Sequence, residues 1–421
     1  MFPRKILSQL KSQSKEKKVV LLLGPRQVGK TTLLKALHDE LAQKHKCLFL
    51  DIDILSNYEK VSTFESLLNT LKLQGYNEKQ KDFFYLFLDE FQKHPALAII
   101  MKNVYDNCTN IKIYASGSSS LSIKNQIQES LAGRKQIKEI FPLDFEEFLV
   151  FKQEEKSLAN LKCISTLKGN QLDSTTKELY VLLDEFLIFG GYPEVALKST
   201  REEKVAVLDS IFDLYVKKDL VDYLKMDKIL PMKKLIEFLA VNHGQKIKYD
   251  ELAKVASLSY AETKTYIDIL RETYIIEEVR PFFTNQKKEL IKIPKIYFID
   301  PGVRNYFVNN FNNISLRTDA GFLFEGFILA ELLKKEVKKI AFWQDKNKKE
   351  VDIIINDNGL PLPIEVKYKK TLKSEDFRGL DKFLKTYPKT IRAYLINLAQ
   401  QKKQKRVQLL LPYTLDLIMD N

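Results

Sequence analysis

The chain has 421 residues, 45% hydrophobic and 29% charged, which is too long for one core and ordinary for a globular protein with several. Lysine and arginine (68) exceed aspartate and glutamate (55) to leave a formal charge of +13, a balance that suits contact with a polyanion but also a merely solubilising surface. Cys47, Cys108 and Cys163 stand far apart in no metal spacing, the N-terminus lacks the apolar core of a signal peptide, and no apolar run reaches the roughly 20 residues of a membrane span, so a cytoplasmic protein without disulfides, zinc or membrane contact is expected.

In chain order, residues 1–143 alternate apolar runs with amphipathic stretches. Strands are predicted at 19–23, 47–52, 83–88, 111–116 and 136–141, with helices such as 32–45 and 95–108 between them. That alternation indicates a parallel sheet covered on both faces. The first strand runs into Gly24-Pro25-Arg26-Gln27-Val28-Gly29-Lys30-Thr31, which fits the phosphate-loop pattern G-x-x-x-x-G-K-[ST]. Its glycines let backbone N–H groups wrap phosphates without a Cβ in the way, and the following helix start adds partial positive charge. Lys30 is expected on the β and γ phosphates of ATP and Thr31 on Mg2+, with Thr32 completing the nucleotide-binding set.

The third strand ends in Asp89-Glu90. A buried parallel strand holds carboxylates only at its C-terminal end, where the ligand crevice opens. Asp89 is expected to hold the Mg2+ shell and Glu90 to orient or deprotonate the attacking water. The fourth strand leads to Gly117-Ser118-Ser119-Ser120. Ser118 is a candidate γ-phosphate contact, although a turn or helix cap explains the same residues.

Residues 144–231 read as a helical lid, with helices at 145–151, 179–189 and 204–224 and a forced turn at Gly190-Gly191-Tyr192-Pro193. Residues 232–308 read as three helices (233–243, 249–256, 259–273) and two strands (275–281, 295–299). This is the pattern of a winged helix-turn-helix with its third helix as reader, a fold that also serves protein contacts alone. A polar stretch at 309–318 looks like a linker.

Taken together, residues 24–32, Asp89-Glu90-Phe91-Gln92, Gly117-Ser118-Ser119-Ser120, Leu131-Ala132-Gly133-Arg134 and Gly190-Gly191-Tyr192-Pro193 resemble the prokaryotic AAA-type ATPases (the AAA_14 family) that carry a C-terminal DUF4143 domain. The resemblance spans nearly the whole chain. It implies the AAA strand order with the phosphate-loop strand central, and an oligomer with nucleotide sites at subunit interfaces. Arg134 is then a candidate arginine finger for a neighbour's γ-phosphate, or an ordinary surface arginine.

Residues 318–421 form a last α/β unit, with a helix at 322–337, strands at 341–343, 351–355, 361–366 and 391–395, and a helix at 376–386. Asp352 on one strand and Glu365-Val366-Lys367 on the next resemble the PD-(D/E)xK nuclease core. Glu365 and Lys367, two apart on a strand, share a face. Asn358-Gly359 is a two-residue hairpin signal, and a turn centred there sets Asp352 opposite Glu365 as a non-hydrogen-bonded pair. Pro361 and Pro363 then lose no hairpin hydrogen bond, provided no third strand needs their outer edge. Two carboxylates so close repel unless a cation joins them, and Mg2+ or Mn2+ is the oxygen-ligand answer. Lys367 would activate water, Glu325 is a further acid from the preceding helix, and Lys382 is a weak phosphate contact. Lys346, Lys348, Lys349, Lys369, Lys370 and Lys373 suit a phosphate backbone. A salt-bridged structural cluster, or a fold that binds DNA without cutting it, explains the same residues.

The expected architecture is therefore α/β: a P-loop AAA-type core with a parallel sheet (1–143), a helical lid (144–231), a winged helix-like domain (232–308) and a restriction-nuclease-like domain (318–421). The expected function is ATP hydrolysis coupled to DNA binding and processing in an oligomer, with metal-dependent cleavage in the last domain. The alternatives are a nucleotide-dependent signalling switch, or a protein-remodelling ATPase with an inert last domain.

Overall fold

The computed structural model describes residues 2–118, 127, 129–167, 169–215, 229–283, 293–357, 360–404 and 406–419. They divide into two compact units. One holds residues up to Phe141 together with Glu272–Tyr274, and the other holds Pro142–Arg271 and Ile275–Asn421.

The first unit opens with helix α1 (Ile6–Ser12) and strand β1 (Val19–Gly24), followed by α2 (Lys30–Ala42), β2 (Cys47–Asp51), α3 (Leu55–Glu59), α4 (Phe64–Leu73), β3 (Phe84–Asp89), α5 (Leu97–Asn107), β4 (Ile111–Ser118) and β5 (Lys135–Glu139). The strands form one parallel sheet in the order β2-β3-β4-β1-β5. β1, β3 and β4 are buried along their whole length, as continuous apolar runs covered on both faces must be. Thr63 starts α4 by accepting the Ser66 N–H at 3.1 Å, the usual remedy for unpaired donors at a helix start. One expectation needs correcting. The middle strand is β4, and the phosphate-loop strand β1 lies between β4 and the edge strand β5. Two parallel neighbours bury β1 fully wherever it stands in the order, so an apolar sequence cannot tell these positions apart.

The second unit begins with α6 (Phe145–Phe151), α7 (Glu155–Cys163), α8 (Gly169–Phe189), α9 (Pro193–Leu197) and α10 (Arg201–Leu214). Capping boxes Asp144/Glu147 and Thr200/Glu203 start α6 and α10. Next come α11 (Ile229–Val241), α12 (Tyr249–Ala256), α13 (Tyr260–Glu272), β6 (Ile276–Pro281), β7 (Lys295–Phe298) and α14 (Pro301–Phe307). The remainder is α15 (Ala320–Lys334), β8 (Ile340–Gln344), β9 (Glu350–Asp357), β10 (Leu360–Val366), α16 (Arg378–Thr386), β11 (Ala393–Ile396), β12 (Lys402–Gln404), β13 (Val407–Leu410) and α17 (Asp416–Met419).

Among the described residues, one sheet runs through this unit in the order β12-β13-β11-β10-β9-β8-β6-β7. β6 pairs with β7 antiparallel and with β8 in parallel, through Arg280↔Ala341 and Pro281↔Phe342. The pair that follows the three helices is thus continuous with the C-terminal strands. Residues 309–318, expected as a linker, are largely exposed but anchored through Phe311, Ile314 and Arg317, which are buried. Arg317 is buried and donates to Asp319 Oδ1 at 2.9 Å, Asn305 Oδ1 at 2.9 Å and the Asn310 carbonyl at 2.7 Å. A polar sequence resembles a linker, but here its one buried arginine finds its acceptors within the fold.

Candidate functional sites: the phosphate loop and a buried carboxylate–lysine cluster

The phosphate loop leaves β1 at Gly24, where an added Cβ would collide with the Ile140 carbonyl. Gly29 then takes φ 87° as the N-cap of α2, a left-handed conformation natural to glycine. Lys30 is buried, and its Nζ donates to the Gly24 carbonyl at 3.0 Å and the Pro25 carbonyl at 2.6 Å. Thr31 is half-buried and Thr32 exposed. Ser118 is the last residue of β4, not a turn, and pairs with Gly24.

Asp89 ends β3 at 2% exposure, and its Oδ1 accepts the Ser116 hydroxyl and, at 3.1 Å, the Glu90 N–H. Glu90 turns to φ 55°, an uncommon conformation for a residue with a side chain. Its carboxylate accepts from Gln92 Nε2. Gly117 leaves the room that Gln92 and Phe91 occupy.

In the second unit the predicted register holds. Asp357 pairs with Leu360 and Ile353 with Ile364, so one step further Asp352 stands opposite Glu365. β11 joins β10 only from Ile364 onward, beyond both prolines. The turn at Asn358-Gly359 lies outside the described residues. Lys367 Nζ is 2.5 Å from Glu365 Oε1 and 3.7 Å from Asp352 Oδ2, and Asp352 Oδ2 accepts the Val366 N–H at 2.8 Å. Glu365 Oε2 is buried without a partner. Glu325, on α15, belongs to the same neighbourhood through a second lysine. Lys295 Nζ lies 3.0 Å from Glu325 Oε1 and 2.5 Å from Glu350 Oε1, and the Tyr297 hydroxyl also donates to Glu325.

Burial pushes the Glu325 carboxyl up to about 7 against the pull of Lys295. It raises Glu365 well above the carboxylate range, with the Asp352 charge adding to it and Lys367 opposing. Burial also works against the Lys295 ammonium, but Glu325 and the other acids outweigh it and keep it charged.

A family model described as an AAA domain matches residues 16–149, and one described as domain of unknown function DUF4143 matches residues 320–415. The chain carries a P-loop domain of the AAA type and a DUF4143 domain. A third model, domain of unknown function DUF8612, matches residues 181–314. The chain is 24% identical to an uncharacterized protein of Mycobacterium tuberculosis over 84% of this chain and 71% of that one. It is 26% identical to an uncharacterized protein of Methanocaldococcus jannaschii over 87% and 79%. Among solved structures it is similar to a Walker-type ATPase of Pyrococcus abyssi, at 15% identity and a TM-score of 0.45, over 73% of this chain and 96% of that one.

Within the AAA domain, Arg134 stands at the opposite end of the sheet from the phosphate loop. Its carbonyl accepts the N–H of Val19, the first residue of β1, and its Nε donates to Asp106 at 2.7 Å. Two residues missed in the sequence support the AAA site. Arg4 donates to the Val28 carbonyl and to the Phe141 carbonyl, both at 3.0 Å, and Gln92 holds Glu90. A lone arginine before the first strand carries no pattern that points to it. Gln92, two residues beyond the Asp89-Glu90 pair, was in plain view.

In the DUF4143 domain, Lys382, Lys346, Lys348, Lys349 and Lys373 are exposed. Lys369 pairs with Asp376 at 2.6 Å, and Lys370 lies over the Tyr180 ring at 4.3 Å. Lys295, Tyr297 and Glu350 were also missed. Their signal is charge at the edge of apolar runs, as with Lys295 opening a fully buried strand. Among the described residues, no group of three or more His, Cys, Asp or Glu side chains is placed to hold a metal ion. Glu325 and Glu350 share the Lys295 ammonium between them, so that pair does not fit a resident divalent metal, whereas beside Asp352 and Lys367 one oxygen of Glu365 is left without a donor.

Among the described residues, no helix is long and apolar enough to cross a membrane.

Proposed function

We propose that the chain hydrolyses ATP and couples turnover to DNA held by the lysine-rich surface of its second unit. What carries the reading is the ATP site itself: a glycine-gated phosphate loop and an acidic pair, Asp89-Glu90, at the C-terminal ends of strands in one parallel sheet. Lys30 and the loop amides would bind the phosphates, Thr31 and Asp89 would hold Mg2+, and Glu90, steadied by Gln92, would take the proton of the attacking water. Mg2+ supplies charge neutralisation on the phosphates. Ser118, beside Gly24, would meet the γ-phosphate. Arg134 cannot serve its own loop from the far end of the sheet, so its finger role requires a second copy of the chain.

The net charge of +13 and the exposed lysines beside β8 and β10 support DNA as the polyanion. α11 to α13 with the β6–β7 pair support a winged helix-turn-helix with α13 as its reader. Phosphate release measured with and without duplex, single-stranded and branched DNA tests the coupling. Turnover raised by DNA is the expected outcome, while turnover raised by protein and not by DNA favours a remodelling ATPase. Tight nucleotide retention with very slow turnover favours a switch.

Cleavage of the bound DNA is a second reading, favoured by the register that sets Asp352 opposite Glu365 with Lys367 beside them. Its test is cutting of labelled DNA in Mg2+ or Mn2+ by wild type beside Asp352→Ala. Cutting lost in the variant supports it, and binding without cutting in both proteins overturns it.

A further inference from the structure

We propose that Lys295 is the resident cation of the DUF4143 carboxylate cluster, occupying the place between Glu325 and Glu350 that a divalent metal would take. The proposal refines the second reading above and is independent of ATP hydrolysis. Lys295 comes from outside the C-terminal unit as the sequence delimits it, at the start of β7, and reaches in because β7, β6 and β8 share one sheet. It is 3% exposed. Its Nζ bridges one oxygen of each carboxylate, at 3.0 Å and 2.5 Å, as a cation between two acids does. The Tyr297 hydroxyl adds a donor to the same Glu325 oxygen.

Lys367 plays the corresponding part for Asp352 and Glu365. Four acids, three of them buried and Glu350 half-buried, are thus served by two ammonium groups, Lys295 buried and Lys367 half-buried, that folding has already fixed. A metal from solution competes with a cation that is covalently part of the chain and has lost its entropy once, on folding. It must also shed its own water, and Mg2+ dehydrates reluctantly. The cluster therefore ties β7, α15, β9 and β10 together without metal, and a divalent ion enters at Glu325 and Glu350 only when the Lys295 side chain is gone.

The test is a Mn2+ titration of the full, nucleotide-free chain, with free Mn2+ read by electron paramagnetic resonance. The proteins are wild type, Glu325→Gln, Lys295→Met and the double variant. Wild type and Glu325→Gln are expected to bind the same number of Mn2+ ions. Lys295→Met is expected to bind one more than wild type, and the double variant to lose it. Lys295→Met should melt at a lower temperature than wild type and regain part of the difference in Mn2+, a shift absent in wild type. The proposal is overturned if wild type binds one Mn2+ more than Glu325→Gln, or if a folded Lys295→Met gains none. Should Lys295→Met fail to fold, the comparison of wild type with Glu325→Gln still decides.

Discussion

Glu90 adopts φ 55°, and nothing in a hydrophobic strand demands a bend of that kind at its end. The bend takes the side chain out of line with β3 and into reach of Gln92, while Asp89 stays in line and buried against Ser116. The two acids therefore have separate environments, one fixed by the strand next door and one held by its own following turn. This division suits the metal-binding role proposed for Asp89 and the water-activating role proposed for Glu90. Glu90→Gln keeps the hydrogen-bonding shape and removes the proposed base. Its kcat for ATP is expected to fall by roughly 10²–10⁴-fold, the usual worth of a general base, with nucleotide affinity nearly unchanged. Phosphate release and equilibrium binding of a fluorescent nucleotide check both halves, and a variant that hydrolyses normally removes Glu90 from the mechanism.

Two glycines and a histidine set how the elements of the second unit pack. An alanine at Gly379, in the first turn of α16, would drive its Cβ into the Glu350 carbonyl and close to Glu365 Oε2. Gly379→Ala is expected to cost about 1–3 kcal/mol, as overpacking does, in a urea titration, and an unchanged midpoint would mean that α16 is free to shift. His243, just past the end of α11, accepts the Phe298 N–H at Nδ1 at 3.0 Å and lies so close to Gly326 of α15 that a Cβ there would strike its Nε2.

Burial first, then the Arg304 charge, lowers the His243 pKa from 6.5 to about 3, with Arg317 adding to the effect and Asp319 opposing it. Between those values the unfolded chain binds a proton that the folded chain refuses. The contribution of His243 to stability is thus complete above pH 6.5 and is lost as pH falls toward 3, by at most about 1.4 kcal/mol per pH unit. The expected outcome for His243→Asn is a stability that falls less steeply than wild type across that window in denaturant titrations at stepped pH. Parallel slopes would show that the ring titrates normally in the folded protein.

For the whole molecule, charge is the property that no single element carries. With +13 overall and Lys346, Lys348 and Lys349 exposed in the turn between β8 and β9, binding to duplex DNA is expected to weaken steeply with salt. Changing those three lysines to glutamine should weaken binding evenly across sequences. It should also flatten the slope of log affinity against log salt by about 0.9 for each phosphate contact removed. Fluorescence anisotropy of a labelled duplex at stepped salt concentrations checks this, and salt-insensitive binding, or an unaltered slope in the variant, counts against a phosphate-backbone contact.

What the sequence determined by itself was whatever adjacent residues encode. Strands β1 to β4 follow from apolar runs, the phosphate loop from eight consecutive residues, and the β9–β10 register from a turn flanked by two runs of matching period. In each case the information is local, because backbone preference and side-chain alternation are set over a few residues. The tertiary structure decided what depends on distant chain meeting distant chain. It brought Arg4 to the phosphate loop and put β1 beside the edge strand. It turned an apparent linker into a buried arginine network. Above all, by extending one sheet from the C-terminal strands through β8 to β6 and β7, it delivered Lys295 to the acids of α15 and β9. A lysine at the head of an apolar strand looks like a strand end in contact with water; only the closure of the sheet over it makes its charge a partner for Glu325 and Glu350.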